Sequence, residues 1–248
     1  VYIIPFSARP CKTAPAAGEN FALASENRRI FFGGYCDFVS IVVYYTMNES
    51  AHGGEKRLFY ARYAKRAIDV VLAILLLIAL AIPMLMIAAL IRLDSRGRVL
   101  FCQKRLGLHE QPFTIYKFRT MRVDAPSEMP TRMLTGSAHY ITRVGKYLRI
   151  SSLDELPQLF NILKGDMSFV GPRPTLENET ALTRAREREN AYSVRPGLTG
   201  LAQIRGRDEL LPDEKAYLDG VYVRNMSLYY DFRIVLGTVF AVVNAEGY

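Results

Sequence analysis

The chain has 248 residues, half of them hydrophobic, and a slightly positive mean hydropathy, which is high for a wholly water-soluble protein. Its formal net charge of +8 is unevenly placed: residues 58–150 carry 15 Lys and Arg against 5 Asp and Glu, whereas residues 151–248 carry 11 against 14. A basic half that also holds the longest apolar run points to anionic headgroups or phosphates, and the lack of helix-turn-helix, zinc-finger or RNP-like patterns argues against a nucleic-acid partner. Cys11, Cys36 and Cys102 show no CxxC spacing, and His52, His109 and His139 are scattered. Both facts argue against a disulfide framework or a zinc or histidine-metal centre and fit a reducing compartment.

Residues 1–56 have no sustained periodicity, and their apolar run, Phe38 to Tyr45, is too short to span a bilayer. They also lack the basic start, apolar core and cleavage site of a secretory signal. They read as an N-terminal extension, non-native or disordered, with a working start near Met47 that would make residues 1–46 dispensable.

Residues 57–98 form a second segment. Val70 to Ile91 is 22 residues without a charge. As a straight helix it would be roughly 33 Å long against a hydrocarbon core of about 30 Å. Pro83 removes a backbone hydrogen bond in its second half. Lys56, Arg57, Arg62, Lys65 and Arg66 precede it, and Arg92, Arg96, Arg98, Lys104 and Arg105 follow it. Cations on both flanks place both ends on the cytoplasmic side. A helix that enters the membrane, bends at Pro83 and returns satisfies both observations; a kinked spanning helix is the alternative.

Residues 99–248 read as a compact, mostly helical domain with a few short strands, an α+β fold. Val99-Leu100-Phe101 and Phe113 to Tyr116 are expected strands on either side of a turn at Gly107 to Gln111. Asp124 to Gly136 is expected to be a loop and Ile141 to Leu148 a helical or mixed segment. Leu156 to Leu163 should be a short helix stopped by Gly165. Leu176 to Tyr192 reads as a solvated helix. In Ser227 to Asn244, the residues Leu228, Phe232, Val235, Leu236, Val239 and Val243 fall on one helical face, suited to a membrane surface or a core.

Asp154 and Glu155 are the residues best placed for chemistry. Pro157 fits a first-turn position, which puts both carboxylates at a helix N-terminus where the macrodipole favours their ionised form. An ionised carboxylate there can be a nucleophile, and its neighbour can hold a divalent ion against a pyrophosphate. A solvated helix start accounts for the same two residues without any chemistry. Lys117, Arg119, Arg149, Arg173 (between Pro172 and Pro174) and Arg195 each place a cation on a turn or an element end. Together with the carboxylate pair they suggest a diphosphate site. Neither a Gly-rich phosphate loop nor an Asp-x-Asp metal pair occurs.

Several blocks in fixed order then carry a resemblance. They are Lys65-Arg66-x-x-Asp69, the apolar run with Pro83, Phe101-x-Gln103-x-Arg105-x-Gly107 and Lys117-Phe118-Arg119-Thr120-Met121. Leu153 to Leu159, Gly165 to Pro174 and Arg195-Pro196-Gly197-Leu198-Thr199-Gly200 follow. From about Tyr60 to Val243 the chain resembles the bacterial sugar transferases, the monotopic polyprenyl-phosphate phosphoglycosyl transferases. The resemblance implies an enzyme of the bacterial inner membrane with its catalytic domain in the cytoplasm. It would move a sugar phosphate from a UDP-sugar to polyprenyl (undecaprenyl) phosphate and release UMP, as the first membrane step of exopolysaccharide or capsule assembly. It further implies Asp154 as the nucleophile, Glu155 as its partner at Mg²⁺, and Lys117, Arg149 and Arg195 as groups that hold phosphates or order the dyad. Pro172, Arg173 and Pro174 would shape the nucleotide end. The family's membrane helix breaks at a Ser-Pro pair; here Ile82 stands before Pro83, so no hydroxyl is present to rebond the freed backbone. The sequence sets neither the sugar nor an oligomeric state.

Overall fold

The computed structural model describes residues 59–125, 137–206 and 210–243. The expected N-terminal extension, its boundary at residue 56 and most of the Asp124 to Gly136 loop lie outside these residues.

A π-helical turn, Tyr60–Ala64, runs into α1, Lys65–Ala79, and α2 follows as Ala81–Asp94, bent from α1 by 62°. The break is at Leu80 (φ −97°, ψ 5°), not at Pro83. A proline ring clashes with the carbonyl four residues earlier, here that of Ala79, so the chain bends upstream and Pro83 sits in the first turn of α2 where a missing N–H is tolerated. Among the described residues no single helix is long and apolar enough to cross a membrane, whereas the bent pair is by length and composition.

One stripe of each half faces the domain. On α1 it is Lys65, Asp69 and Ala73, continued by Leu77, at the four-residue spacing of one helix face. On α2 it is Met84, Ile87, Ala88 and Ile91. The opposite faces leave Val71, Leu75, Ile78, Ile82, Leu85, Met86 and Leu93 exposed.

The expected strands are present and longer than anticipated. β1, Leu100–Leu106, pairs antiparallel with β2, Pro112–Phe118, across a turn containing Leu108–Glu110. After a one-turn helix at Ser137–Tyr140 comes α3, Arg143–Ile150, capped by Thr142, whose hydroxyl accepts from the Gly145 N–H at 3.0 Å. A Cβ at Gly145 would collide with the Thr120 carbonyl, so glycine is what lets α3 lie against the end of β2. Helix α4, Gln158–Lys164, ends at Gly165 in a left-handed conformation (φ 102°), as its sequence predicts.

The remaining elements are β3, Ser168–Val170, α5, Thr180–Arg188, β4, Gly197–Thr199, α6, Leu201–Arg205, α7, Pro212–Asn225, and α8, Leu228–Val243. β3 and β4 pair in parallel. The solvated helix expected over Leu176 to Tyr192 is shorter and half sunk: Leu182, Ala185 and Arg186 are buried, packing α5 against Ala216 of α7. On α8 the apolar residues Leu228, Phe232, Val235, Leu236 and Val239 are exposed, and Tyr230 and Ile234 form the buried side.

Ile115 of β2 packs with Ala73, Leu159, Ile162 and Met167; three residues on, Phe118 packs with Ile91 and Leu148. The hairpin therefore bridges two cores, one under α1 and one under α2, and the bend at Leu80 follows its surface.

Lys65, Arg66 and Asp69 are used inside the fold. Lys65 pairs with Asp231 of α8, and Arg66 donates to the Ile162 and Leu163 carbonyls at 2.5 and 2.9 Å, closing the C-terminus of α4. The Asp69 carboxylate accepts from the Phe169 N–H at 3.2 Å. Of the cations flanking the apolar run, Lys65 and Arg66 therefore tie α1 to the domain, while Arg92, Arg96 and Arg98 remain exposed.

Candidate active site

The dyad follows α3 directly. Ser152 adopts a left-handed conformation (φ 55°) that reverses the chain, and Leu153–Glu155 forms a 3₁₀ turn before Pro157 caps α4. Asp154 and Glu155 thus precede the helix proper. Burial and neighbouring cations act on the two carboxyls in opposite senses.

Glu155 receives two of them on one oxygen. Lys117 Nζ donates to Oε1 at 2.6 Å and Arg173 to the same atom at 3.1 Å. Burial acts to raise the Glu155 pKa, but the two cations overcome it and hold the carboxyl at about 2. Asp154 goes the other way. Burial raises its pKa, aided by the Glu155 charge and opposed by Lys117, Arg149 and Arg173. Among the described residues no side chain hydrogen-bonds the Asp154 carboxylate. Burial pushes the Lys117 ammonium down, against the pull of Glu155.

The strand register delivers Lys117. Asn161 on α4 accepts from the Tyr116 N–H at 3.0 Å and donates to the Thr114 carbonyl at 2.7 Å, locking β2 to the helix that follows the dyad. Arg149 is aimed by a hydrogen bond from its Nε to Thr120 Oγ1 at 2.9 Å. A cavity of about 1800 Å³ is lined by Lys117, Arg149, Asp154, Glu155 and Arg173. Its walls extend to Leu76 and Leu80 at the helix bend and to Val235 and Val239 of α8.

Three predicted residues have other positions. Arg119, though it reaches the cavity wall, gives its fork to the Ser95 and Arg96 carbonyls at 2.8 and 2.7 Å and to Ser95 Oγ, fastening the turn after α2. Arg195 donates to the Gly165 carbonyl at 2.9 Å and frames the end of α4. Pro172 is buried and contributes its carbonyl to the Gly197 N–H at 2.8 Å, while Pro174 lines the cavity.

Gln103 and Arg105, which the sequence does not mark as site residues, also line the cavity. Arg105 Nε and Nη2 both donate to Gln103 Oε1, and Nη1 donates to the Pro174 carbonyl at 3.3 Å. Burial, with Arg173 nearby, lowers its pKa to about 10. The alternation of β1 held the clue: Phe101, Gln103 and Arg105 share one strand face, and Phe101 pairs with Lys117 across the hairpin.

Among the described residues no three His, Cys, Asp or Glu side chains gather into a complete cation site. Mg²⁺ commonly takes one or two carboxylates and completes its oxygen shell from substrate phosphates and water; Asp154 and Glu155 are carboxylates of that kind, with Glu155 Oε1 already bonded to Lys117 and Arg173.

Two adjacent half-buried carboxylates with Lys117, Arg149 and Arg173 around them, in an α+β domain beside a bent apolar helix pair, form a charged cavity next to an apolar surface. The chain belongs to the bacterial sugar transferase family, whose model matches residues 60–245. It is 44% identical over 192 residues to the UDP-glucose:undecaprenyl-phosphate glucose-1-phosphate transferase of Caulobacter vibrioides, covering 73% of this chain and 70% of that protein. It is 42% identical over 185 residues to the undecaprenyl-phosphate glucose phosphotransferase of Komagataeibacter xylinus, covering 71% of this chain but 35% of that protein. Identity to the uncharacterized sugar transferase EpsL of Bacillus subtilis is 42% over 183 residues, or 74% of this chain and 89% of that protein.

Proposed function

We propose that this chain transfers a sugar phosphate from a UDP-sugar to undecaprenyl phosphate at the cytoplasmic face of a bacterial inner membrane, by way of a phosphosugar attached to Asp154. The observation that carries this reading is the contrast within the dyad: Glu155 is bonded to two cations, while Asp154 faces the cavity with cations around it and, among the described residues, none bonded to it. The names of the Caulobacter and Komagataeibacter relatives supply the carrier, and the former supplies the nucleotide.

In the first half-reaction an Asp154 oxygen attacks the sugar-linked phosphorus, and the bond from that phosphorus to the bridging oxygen of UMP breaks. UMP departs with the electron pair, and Arg173, Arg149 and Lys117 stabilise the negative charge that develops on it. In the second, a phosphate oxygen of the carrier attacks the same phosphorus and the Asp154 carboxylate is released. Glu155 would hold Mg²⁺ beside the attacking Asp154, and the ion would supply charge neutralisation on the diphosphate. Lys117 and Arg173 keep Glu155 ionised throughout.

The exposed faces of α1, α2 and α8 lie in the bilayer surface in this reading, and the bent pair enters and returns on one side. That arrangement brings a lipid phosphate to Asp154 along the apolar wall at Leu76, Leu80, Val235 and Val239 while the donor arrives from water. The test is UMP release by the full chain in membranes supplied with undecaprenyl phosphate and a panel of UDP-sugars. Release that depends on one of them supports the reading, and none with any donor contradicts it. Accessibility labelling at Ala51 and Arg98 tests topology, since a re-entrant pair leaves both on one side and a spanning helix separates them.

A further inference from the structure

Four consecutive carbonyl oxygens at the Arg173 loop are held by four separate donors. The Gly197 N–H takes the Pro172 oxygen at 2.8 Å and the Leu106 N–H takes the Thr175 oxygen at 2.9 Å. Between them, Arg186 donates to the Arg173 oxygen at 2.6 Å and Arg105 to the Pro174 oxygen at 3.3 Å. Backbone donors thus fix the ends of the segment, and two guanidiniums fix the middle.

Arg186 is itself immobilised. It lies on α5, and its Nε and Nη2 both bond Asp219 Oδ2 of α7, at 2.8 and 2.6 Å. The two side chains are 3% and 1% exposed. A buried ion pair is poor evidence for stability, because well-packed apolar residues of the same volume often serve as well or better. Apolar residues could not donate the remaining N–H to the backbone of Arg173, the residue whose side chain reaches Glu155. The Arg173 side chain is half exposed and bonds Glu155, so the position of its Cα bears directly on where its guanidinium points. A planar fork bound on one side to a carboxylate can present its other nitrogen in only one direction.

We infer that Arg186 and Asp219 are positioning residues for donor binding: Asp219 orients Arg186, and Arg186 holds the Arg173 backbone so that the Arg173 side chain meets the donor diphosphate. The inference rests on the proposed use of a nucleotide-sugar donor. It makes the packing of α5 on α7, well removed in sequence from the dyad, part of the site. Arg186 also lines the cavity, so direct contact with the nucleotide is the competing role.

A double-mutant cycle in the full chain separates the two. Arg186→Lys and Asp219→Asn are each made in the wild type and in Arg173→Lys, and donor KM and kcat are measured by UMP release. A loss routed through one charge-assisted hydrogen bond should raise donor KM about tenfold in the wild-type background and change kcat by less than about threefold. In the Arg173→Lys background the further rise should stay under about twofold, since coupled residues are not additive. Hydrogen exchange at the Gly197 and Leu106 amides should quicken in both variants. Equal rises in both backgrounds would mean that Arg186 contacts the donor itself, and an unchanged KM would mean that the pair is structural; either overturns the inference. If Arg186→Lys does not fold, the neutral pair Arg186→Gln with Asp219→Asn, which keeps a donor for the Arg173 carbonyl, should restore folding and most of the donor affinity. Loss of that affinity in a folded neutral pair also overturns it. A wild type that turns over no nucleotide sugar defeats the proposed function instead, while the exchange measurement still reports whether the pair holds the loop.

Discussion

Two clusters of charge contrast in this fold: among the described residues, one is closed by its own donors and the other is not. In the first, Asp231 accepts from Tyr60 at 2.5 Å and Tyr222 at 2.8 Å and pairs with Lys65, while Asp69 takes a backbone N–H of β3. Every carboxylate there ends on a donor, and the result joins α1 to α8. In the second, Lys117 and Arg173 close on Glu155, but Asp154 is left with a raised pKa on the wall of a cavity. Buried charge alone therefore does not mark function. The informative feature is a charge on a cavity wall that, among the described residues, its neighbours approach without bonding.

The largest effect that would sharpen this contrast is expected at Asp154. Asp154→Asn should lower turnover by at least about 10³-fold while leaving the fold intact. The same change should raise stability. The folded-state pKa of Asp154 lies above its unfolded value, so its favourable contribution is present below the unfolded pKa and lost as pH rises through the folded one. At neutral pH the ionised carboxylate is a net cost, and removing it should raise Tm by about 1–3 °C. A variant that is both inactive and less stable would place Asp154 with the structural cluster.

Asp231→Asn should do the reverse. It strands the Lys65 ammonium in a buried site and should cost about 3 kcal/mol of stability, measurable by chemical denaturation. Donor turnover per folded molecule should stay within a few-fold of wild type. Selective loss of kcat at unchanged stability would break the division between the two clusters.

Lys117 leads to a pH effect. The acid limb of kcat/KM should lie above the ordinary aspartate value of about 3.9, because burial raises Asp154; Glu155, held near 2, stays ionised across that range. Lys117→Met removes the largest influence that lowers the Asp154 pKa, so the limb should move to still higher pH as activity falls. An unmoved limb would mean that another group titrates there.

The smallest effect compares two arginines of opposite fate. Arg173→Lys should raise donor KM about tenfold with Tm nearly constant, since a point charge replaces a planar fork. Arg119→Lys should leave donor KM alone and reduce stability, because it loosens the carbonyls of Ser95 and Arg96. The opposite pattern would exchange their roles.

Much of this was legible in the sequence. The hairpin around Gly107, the stop at Gly165 and the bent apolar segment follow from local rules of turn, cap and proline geometry. Lys117, Arg149, Asp154, Glu155 and Arg173 stand out in the sequence as charges on turns and element ends, and they line one cavity. What the sequence hid is tertiary. A cation beside an apolar run looks the same whether it faces a headgroup or, as Lys65 does, an aspartate 166 positions away. Arg119 stands in a basic motif, yet its partners are carbonyl oxygens that no side-chain pattern displays. The bend fell at Leu80 because the Pro83 ring crowds the carbonyl of Ala79, four residues before it, so the chain breaks upstream of the proline. Arg186 lies in a segment whose composition reads as solvated, and only the packing of α5 on α7 buries it.

The central claim is that Asp154 takes the phosphosugar covalently, and intact-protein mass spectrometry tests it most directly. Wild-type enzyme given donor and Mg²⁺ but no lipid phosphate should gain the mass of one sugar phosphate, release one equivalent of UMP, and carry the added mass on the peptide containing Asp154. Asp154→Asn should gain nothing. An active enzyme that shows no adduct without lipid, and releases UMP only when both substrates are present, would contradict the covalent account and place the attack on the lipid phosphate itself.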